Sequence, residues 1–235
     1  MKLIKTLGLP ALAVCVLGMG MTGCSSMTNT GKGALIGGGG GAALGAGLGA
    51  LIGGGKGAAI GTAIGAAVGT GAGVLIGKKM DKQQAELQQQ LAEQAKVEQA
   101  TDANGLQAIK VTFNGGILFP TNGTTLSTSA KGDLAKFATS LIQNPQTNVQ
   151  IYGFTDDTGS MAANTKVADG RADAVRNYLL NCGVAANRLS AEGLPMQDYI
   201  ASNQTPEGRA QNRRVEIYIT ADQAMIEAAE NGTLQ

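Results

Sequence analysis

Histidine is absent from all 235 residues of the chain, and so is tryptophan. The lack of histidine excludes Ser-His and Cys-His catalytic pairs and the commonest protein metal ligand. The three cysteines, Cys15, Cys24 and Cys182, have no CxxC spacing, so they indicate neither a zinc site nor a thioredoxin-type motif. Basic and acidic residues nearly balance, at 18 and 17, which gives no argument for a nucleic-acid partner. We therefore expect a protein that is not an enzyme and that uses no metal or cofactor.

Glycine, by contrast, is abundant and concentrated in one segment. It occupies every fourth position from Gly33 to Gly77, within a tandem repeat that runs through 31–54 and 55–78. A glycine at every fourth residue forms a groove along one face of a helix, and the groove lets a second helix approach closely. The pattern predicts a glycine-zipper helical hairpin over 31–78.

The two repeats are also nearly free of charge. No charged residue lies between Lys32 and Lys56 or between Lys56 and Lys78, so each run reaches the ~20 residues that a membrane span requires. A flexible glycine and alanine tether is the alternative, but a tether does not need its glycines in register. The sequence leaves open whether the hairpin spans a bilayer, lies in one or joins copies of the chain.

The first 23 residues have the features of a bacterial lipoprotein signal peptide. A basic start is followed by an apolar stretch of signal-peptide length, and the segment ends in MTGC, which resembles a lipobox. This resemblance implies cleavage before Cys24 and acylation of that cysteine, with 24–30 as a lipidated tether. Ser25, where an aspartate would suggest inner-membrane retention, favours the outer membrane. An ordinary secretory signal with an incidental Cys24 is the alternative.

The next segment, 79–105, predicts a helical linker. It has neither glycine nor proline before Thr101, and it is rich in residues with high helix propensity. The stretch TDANG at 101–105 is expected to end the helix. A thin apolar stripe that includes Met80 and Leu87 fits a solvated monomeric spacer or a short coiled coil.

Residues 106–221 have ordinary composition and enough length for one hydrophobic core. Alternation predicts strands in LQAIKVTF, NVQIYGF and RRVEIYIT, and Asn114-Gly115 predicts a hairpin turn. Helical periodicity predicts helices in STSAKGDLAKFATSLIQN and from Ser160 to Cys182. Strands therefore alternate with helices, which indicates an α+β domain with helices on one face of a sheet. The tail, 222–235, predicts a frayed helix.

Two long motifs in this region resemble the OmpA-like C-terminal domain, a peptidoglycan-binding module. One is GFTDDTGSMAANTKVADGRADAVRNYLLNCGVAANRLSAEGL, and the other is SNQTPEGRAQNRRVEI. The resemblance covers 106–220 and implies a βαβαβ-type α+β fold, with a mixed sheet and helices on one face. With the lipobox and the glycine repeat, the whole chain resembles YiaD-type outer-membrane lipoproteins.

The resemblance implies that the ligand is the diaminopimelate residue of the cell-wall stem peptide. This group carries an ammonium and a carboxylate on one carbon, so its site needs a fixed anion and a fixed cation close together. Asp156 matches the family's acid, for the ammonium. Arg171 matches its arginine, whose guanidinium can hold a carboxylate through two hydrogen bonds. The two converge only if the helix that carries Arg171 folds back across the end of the strand before Asp156.

The same match implies several supporting residues. Asn164 is expected to contact the ligand or to fix the loop. Thr121 and Asn122 are expected to present backbone amides to the ligand carboxylate. Arg214, the second arginine of the NRR motif, is expected to support the pocket. Phe154 stands where the family has histidine or tyrosine, and the sequence does not explain this departure.

Other interpretations of the acidic stretch are weaker. The tetrapeptide DTGS at 157–160 resembles an aspartic protease motif, but such an enzyme needs two catalytic aspartates and this motif occurs once. A calcium loop would need acids at spaced positions and a distal glutamate, which are missing. Helix capping by Asp156 or Asp157 is the structural alternative to ligand binding.

Two functions from different classes remain. The first is an outer-membrane lipoprotein, with its C-terminal domain in the periplasm, that binds peptidoglycan non-covalently and tethers the membrane to the wall. Its partners would be diaminopimelate-containing peptidoglycan and, through acylated Cys24, the outer-membrane lipid. The alternative is a membrane-active or oligomerising glycine zipper whose C-terminal domain only positions it at the wall.

Overall fold

Strands and helices alternate through the C-terminal half in a computed structural model, which describes residues 70–102, 104–120 and 123–234. The predictions of a signal peptide, of an acylated Cys24 and of a zipper hairpin before Thr70 lie outside these residues. The strands are β1 Ala95–Thr101, β2 Gln107–Asn114, β3 Thr147–Phe154, β4 Leu189–Leu194 and β5 Arg214–Ala221. The helices are α1 Thr70–Gln90, α2 Gly115–Leu118, α3 Thr128–Gln143, α4 Met161–Asn181, α5 Pro206–Asn212 and α6 Gln223–Glu230.

The five strands form one mixed sheet in the order β1-β2-β5-β3-β4. Strands β3 and β4 run parallel, and the other neighbours are antiparallel. Alternate side chains of β2, β3 and β5 supply the apolar core, including the buried Phe113, Ile151 and Ile217. Helix α4 packs closely on this face, since a Cβ at Gly153 would collide with the carbonyl oxygen of Ala168. The expected α+β class with a mixed sheet is confirmed.

The predicted helical linker over 79–105 is wrong in its extent and in its surroundings. Helix α1 ends at Gln90, and the chain then turns into the edge strand β1. The apolar stripe of α1 is inserted into the domain core together with Leu91, the residue after the helix. Four side chains are at most 1% exposed: Ile76, Met80, Leu87 and Leu91. The helix contacts β1, β2, α3 and α6. The stripe therefore covers the sheet, and it forms neither a solvated spacer nor a coiled-coil seam.

Helix α1 also begins inside the glycine repeat, at Thr70, so the predicted boundary between 78 and 79 falls in the middle of a helix. Ala72 and Ile76, which belong to the second repeat, are buried in the domain core. Among the helices of the described ranges, none is both long and apolar enough to cross a membrane.

The predicted hairpin turn at Asn114-Gly115 is also wrong. The Asn114 side chain accepts a hydrogen bond from the Gly116 N–H at 2.8 Å and so caps the short helix α2. The hairpin joins β1 to β2 and contains Asn104 and Gly105, whose φ of +76° favours glycine. The stretch TDANG, predicted to end a helix, therefore leads from the last residue of β1 into the turn of this hairpin.

The C-terminal tail is helical as predicted, but it is not frayed. The Asp222 side chain caps α6 by accepting from the Met225 N–H at 2.7 Å. Met225, Ile226 and Ala229 are buried, and α6 packs against α1. The first and last described helices thus close the same side of the domain.

The carboxyl group of Asp102, in the β1–β2 turn, is a buried acid. Its Oδ1 accepts hydrogen bonds from the N–H groups of Asn104 and Leu106, each at 2.8 Å. Burial raises the pKa of Asp102 from 3.8 to about 6, although the two N–H groups oppose this. An acid whose pKa is raised in the folded state favours folding fully below its unfolded pKa. That contribution is lost as the pH rises from about 4 to about 6.

The variant Asp102→Asn keeps an Oδ1 acceptor and removes the charge. We expect it to be more stable than the parent at pH 7.5, by up to about 3 kcal/mol, and equally stable at pH 3.5. Urea unfolding of a fragment that starts at Thr70 measures both values. The exposed Asp173→Asn is the control and should change neither. A gain of equal size at both pH values would contradict this account of Asp102.

Candidate ligand-binding site

The acid of the predicted pair lies in a tight loop at the end of β3. Asp156 is 6% exposed, and its Oδ1 accepts a hydrogen bond from the Thr158 N–H at 2.9 Å. Its Oδ2 forms an ion pair with Nη1 of Arg213 at 2.5 Å. The carboxylate is therefore fixed on both oxygens, and lone pairs remain on each for a further donor.

The arginine of the pair lies on α4, which folds back past the end of β3. Arg171 is 3% exposed, and its Nε donates to the carbonyl oxygen of Gly123 at 3.1 Å. Its guanidinium carbon lies 5.3 Å from the centre of the Phe119 ring, within the range of a cation–π contact. Its Nη1 is buried and has no hydrogen-bond partner among the residues described. A buried guanidinium nitrogen without an acceptor is costly in the free protein and is satisfied by an incoming anion.

The two predicted residues lie in one electrostatic cluster together with Arg213. Burial lowers the pKa of Arg171, the nearby Arg213 lowers it further, and Asp156 opposes them. Burial would raise the pKa of Asp156, but the Thr158 N–H and the Arg213 guanidinium hold it below its ordinary value. The cluster thus contains one anion and two cations. It can accept a carboxylate without excess negative charge.

Asn164 fixes the loop that carries Asp156. Its Nδ2 donates to the carbonyl oxygens of Thr158 at 2.8 Å and Ser160 at 3.1 Å. The first turn of α4 is capped by Ser160, whose Oγ accepts from the Ala163 N–H at 3.3 Å. Neither aspartate of the motif is therefore the helix cap. Of the two roles expected for Asn164, these contacts provide loop fixation.

Asp157, the aspartate of the protease-like tetrapeptide, is exposed, unlike its neighbour Asp156. The described part of the chain contains no group of three cysteine, aspartate or glutamate side chains that could hold a metal. The metal interpretation of this pair of acids therefore gains no support from the arrangement of the loop.

Arg214 does not reach this cluster, which corrects the expectation that it supports the pocket. It is the first residue of β5, and its side chain lies on the opposite face of the sheet from α4. There its Nε pairs with Oε1 of Glu216 at 2.7 Å, and its guanidinium carbon lies 3.8 Å from the centre of the Phe154 ring. Phe154 is therefore explained by this stacking with Arg214, on the face away from Asp156.

The arginine of the NRR motif that lies beside Asp156 is Arg213, where Arg214 was expected. Its carbonyl oxygen accepts from the Gly115 N–H at 2.8 Å, which fixes its backbone beside the end of β2. Two consecutive residues at the start of a strand point to opposite faces, so only one arginine of the NRR motif can face Asp156. The motif signals both arginines, but the choice between them depends on the register of β5.

The asparagine of the same motif holds the loop before α5. Asn212 is fully buried, and its Oδ1 accepts from the N–H groups of Ile200 at 2.9 Å and Ala201 at 3.0 Å. Its Nδ2 donates to the Ala201 carbonyl and to Oδ1 of Asn203, each at 2.8 Å. Asn212 therefore anchors the backbone immediately before Arg213.

The remaining predicted residues, Thr121 and Asn122, lie outside the described residues. The residue that follows them is Gly123, whose carbonyl oxygen accepts the Nε hydrogen bond of Arg171. Gly123 thus lies at the cluster, and the roles expected of Thr121 and Asn122 remain predictions. Of the predicted set, the structure brings Asp156, Arg171 and Asn164 together and places Arg214 apart.

Two family models match the chain. Residues 118–213 match the OmpA family, and this range contains Asp156, Arg171 and Arg213. Residues 1–81 match the YMGG-like Gly-zipper family.

Curated relatives match about half of the chain. Probable lipoprotein YiaD of Escherichia coli (strain K12) is 39% identical over 104 residues, which is 44% of this chain and 48% of the relative. Peptidoglycan-binding protein ArfA of Mycobacterium tuberculosis (strain ATCC 25618 / H37Rv) is 41% identical over 112 residues, which is 48% of this chain and 34% of the relative. The chain spans less than half the length of each of these two relatives.

Two solved structures share the fold. A putative MotB-like protein from Desulfovibrio vulgaris is 28% identical with a TM-score of 0.54, over 63% of this chain and 94% of that one. The cell wall anchor of the T6SS from Pseudomonas aeruginosa is 28% identical with a TM-score of 0.51, over 58% of this chain and 97% of that one. Almost all of each of these two structures is thus covered by little more than half of this chain.

Proposed function

We propose that this chain binds peptidoglycan without catalysis and connects the cell wall to the outer membrane, because residues 118–213 match the OmpA family. The observation that carries the proposal is the buried Nη1 of Arg171. This nitrogen has no acceptor among the described residues, and Asp156 and Arg213 lie nearby. A ligand that brings a carboxylate to Arg171 and an ammonium to Asp156 would complete the hydrogen bonding of both groups.

The diaminopimelate residue of a stem peptide has this combination of groups on one carbon. Its carboxylate would accept from Arg171, with the planar selectivity of a guanidinium. Its ammonium would donate to Asp156, which stays ionised at neutral pH because its pKa is below the ordinary value. Asn164 would hold the loop in position, and the backbone of Thr121 and Asn122 would lie beside the carboxylate.

Names of relatives support the same class of ligand. One relative is named a peptidoglycan-binding protein, and one solved structure is titled a cell wall anchor. The membrane side of the proposal rests on the lipobox-like MTGC at Cys24, on the Gly-zipper match and on the relative named a probable lipoprotein. We place the acylated end in the outer membrane and the C-terminal domain in the periplasm.

The test compares two kinds of peptidoglycan. Purified full-length chain in detergent is sedimented with diaminopimelate-type and with lysine-type peptidoglycan of similar crosslinking. Lysine lacks the second carboxylate, so we expect retention on the first polymer to exceed retention on the second by tenfold or more, on the order of the loss of one charged hydrogen-bonded group. Free diaminopimelate should release the chain, and cadaverine, a diamine without a carboxylate, should not. Equal retention on both polymers would refute the zwitterion site.

The same preparation tests the alternative of a membrane-active or oligomerising zipper. That alternative would account for the Gly-zipper match over 1–81 without any role for Arg171. It predicts dye release from vesicles, or assemblies held together by the repeat, that persist when the wall-binding site is removed. A chain that sediments with the wall and releases no dye supports the tethering function.

A further inference from the structure

One face of α1 carries a group of lysines that is separate from the Asp156 cluster. Lys78, Lys79 and Lys82 line a pocket of about 410 Å³ between α1, the end of α3 and the C-terminal tail. Its other lining residues are Leu75, Glu86, Gln143, Asn144 and Leu234. We call the three lysines and this pocket the lysine face. Lys78 and Lys82 are exposed, and neither forms an ion pair with a residue that the structure describes.

The segment of this chain that precedes Asp81 carries positive charge and no negative charge. The first 80 residues contain no aspartate or glutamate, and Asp81 is the first acid of the sequence. On α1 itself, Asp81 and Glu86 are the acids near the three lysines, so this part of α1 carries one net positive charge. A positive face beside an uncharged, glycine-rich segment has the composition of a membrane-proximal surface.

Part of the second glycine repeat, 55–78, belongs to α1 and therefore to the folded domain. The uncharged run after Lys56 comprises 57–77, but its described part, from Thr70, belongs to α1, which buries Ala72 and Ile76 in the domain core. The residues left over are 57–69, and as a helix they would rise about 20 Å, less than the ~30 Å hydrocarbon core of a bilayer. While α1 stays folded in the domain, the second repeat therefore cannot place its whole uncharged run in lipid. A membrane that holds the segment before Thr70 would therefore lie close to Lys78, Lys79 and Lys82.

We propose that the lysine face docks on the anionic phospholipid headgroups of the membrane that holds the upstream segment. The proposal rests on the membrane attachment proposed above. The ammonium groups of Lys78 and Lys82 would donate to headgroup phosphates, while Leu75 and Leu234 provide apolar lining for the glycerol region of one lipid. Each lysine near an anionic surface strengthens association roughly fivefold. The contact would weaken as salt increases, since the charges are exposed.

The test uses the full-length chain in lipid nanodiscs. One set of discs contains phosphatidylcholine alone, and the other contains phosphatidylcholine and phosphatidylglycerol in a ratio of about 7:3. Acetylation by an amine reagent is followed at each lysine by mass spectrometry. We expect acetylation of Lys78 and Lys82 to slow at least threefold in the anionic discs. The exposed Lys96, Lys131 and Lys136 serve as internal references and should react equally in both sets.

Two variants of equal charge change complete the test. In the parent, anionic discs are expected to slow the amide hydrogen exchange of α1. The variant K78Q/K79Q/K82Q should lose this slowing, and K96Q/K131Q/K136Q should keep it. Amides of β2 and β5 report that both variants are folded. Protection that survives in the first variant would overturn the proposal. Equal acetylation in the two disc types, or protection by inorganic phosphate in neutral discs, would also overturn it.

The outcomes separate this proposal from the wall-binding function. Diaminopimelate-type peptidoglycan is added to the same discs, and retention on the wall polymer is scored independently of lysine protection. Retention without lysine protection overturns the headgroup contact and leaves wall binding intact. A chain that does not stay with the discs overturns the membrane attachment and the lysine-face proposal together.

Discussion

Arg171→Met is expected to abolish sedimentation of the chain with diaminopimelate-type peptidoglycan while leaving the fold intact. The substitution removes the only cation whose buried Nη1 lacks an acceptor within the described structure. Loss of a buried, hydrogen-bonded charge partner costs roughly 3 kcal/mol, which corresponds to more than a hundredfold in affinity. Arg171→Lys keeps the charge but not the planar pair of donors, so it should bind with intermediate affinity.

Arg171→Met should lose wall binding without losing thermal stability. In the free protein, Arg171 is buried, and its pKa is lowered by burial and by Arg213. Methionine has similar length and no charge, so it loses the hydrogen bond to Gly123 but no longer buries a guanidinium next to another cation. We expect thermal unfolding of Arg171→Met at a temperature equal to or above that of the parent.

Arg176→Met is the matched control for this experiment. Arg176 lies on the same helix, and its Nε makes one long hydrogen bond, to the Leu189 carbonyl oxygen at 3.4 Å. It should therefore retain wall binding. The account of Arg171 is contradicted if Arg171→Met sediments like the parent, or if both variants lose binding to the same degree.

A fragment that starts at Asp102 is expected to fail to fold, although it contains the whole OmpA family match at 118–213. Without α1, four apolar side chains leave the core: Ile76, Met80, Leu87 and Leu91. Burial of each contributes about 1.5–3 kcal/mol, so their joint loss is comparable to the whole stability of an ordinary domain, about 5–15 kcal/mol. Without β1, the eight residues of β2 become an unpaired sheet edge.

Circular dichroism during heating distinguishes the fragments. A fragment that starts at Thr70 should melt cooperatively and sediment with peptidoglycan, and the one that starts at Asp102 should do neither.

A milder pair of variants in the longer fragment gives the same comparison. Leu87→Ala should cost 2–5 kcal/mol, and Gln89→Ala, which is exposed on the same helix, should cost little. A shorter fragment as stable as the longer one would show that α1 is dispensable.

Strands β2, β3 and β5 and helices α3 and α4 could be predicted because each has one clear period. Strand β2 alternates between buried and less buried residues from Ile109 onward, and α3 presents Leu134, Phe137 and Leu141 on one side. The segment before them could not be predicted in the same way. Strand β1 lies at a sheet edge and buries only Val97, so its sequence has no strong alternation. The stripe of α1 is the same whether it covers a sheet or a second helix, and only the fold decides between them.

The candidate site, too, could be predicted from the sequence only in part. The convergence of Asp156 and Arg171 follows from a strand, a loop and a helix that were each predicted, with the pairing supplied by family resemblance. The choice of Arg213 over Arg214 depends on the pairing of β5, in which Val215 lies opposite both Phe113 and Gly153. One residue of register decides which arginine reaches the acid and which one stacks on Phe154.

Helix α1 gives the domain a particular response to mechanical force. A pull between an anchored amino end and a wall-bound Arg171 would enter the domain at Thr70 and leave it through α4. Tension along the helix axis acts first on the amino-terminal turns, so α1 would unwind one turn at a time. Its 21 residues would lengthen by roughly 40 Å on full extension. Each turn that unwinds would take part of the apolar stripe out of the core, so extension of α1 and loss of the domain fold would be coupled.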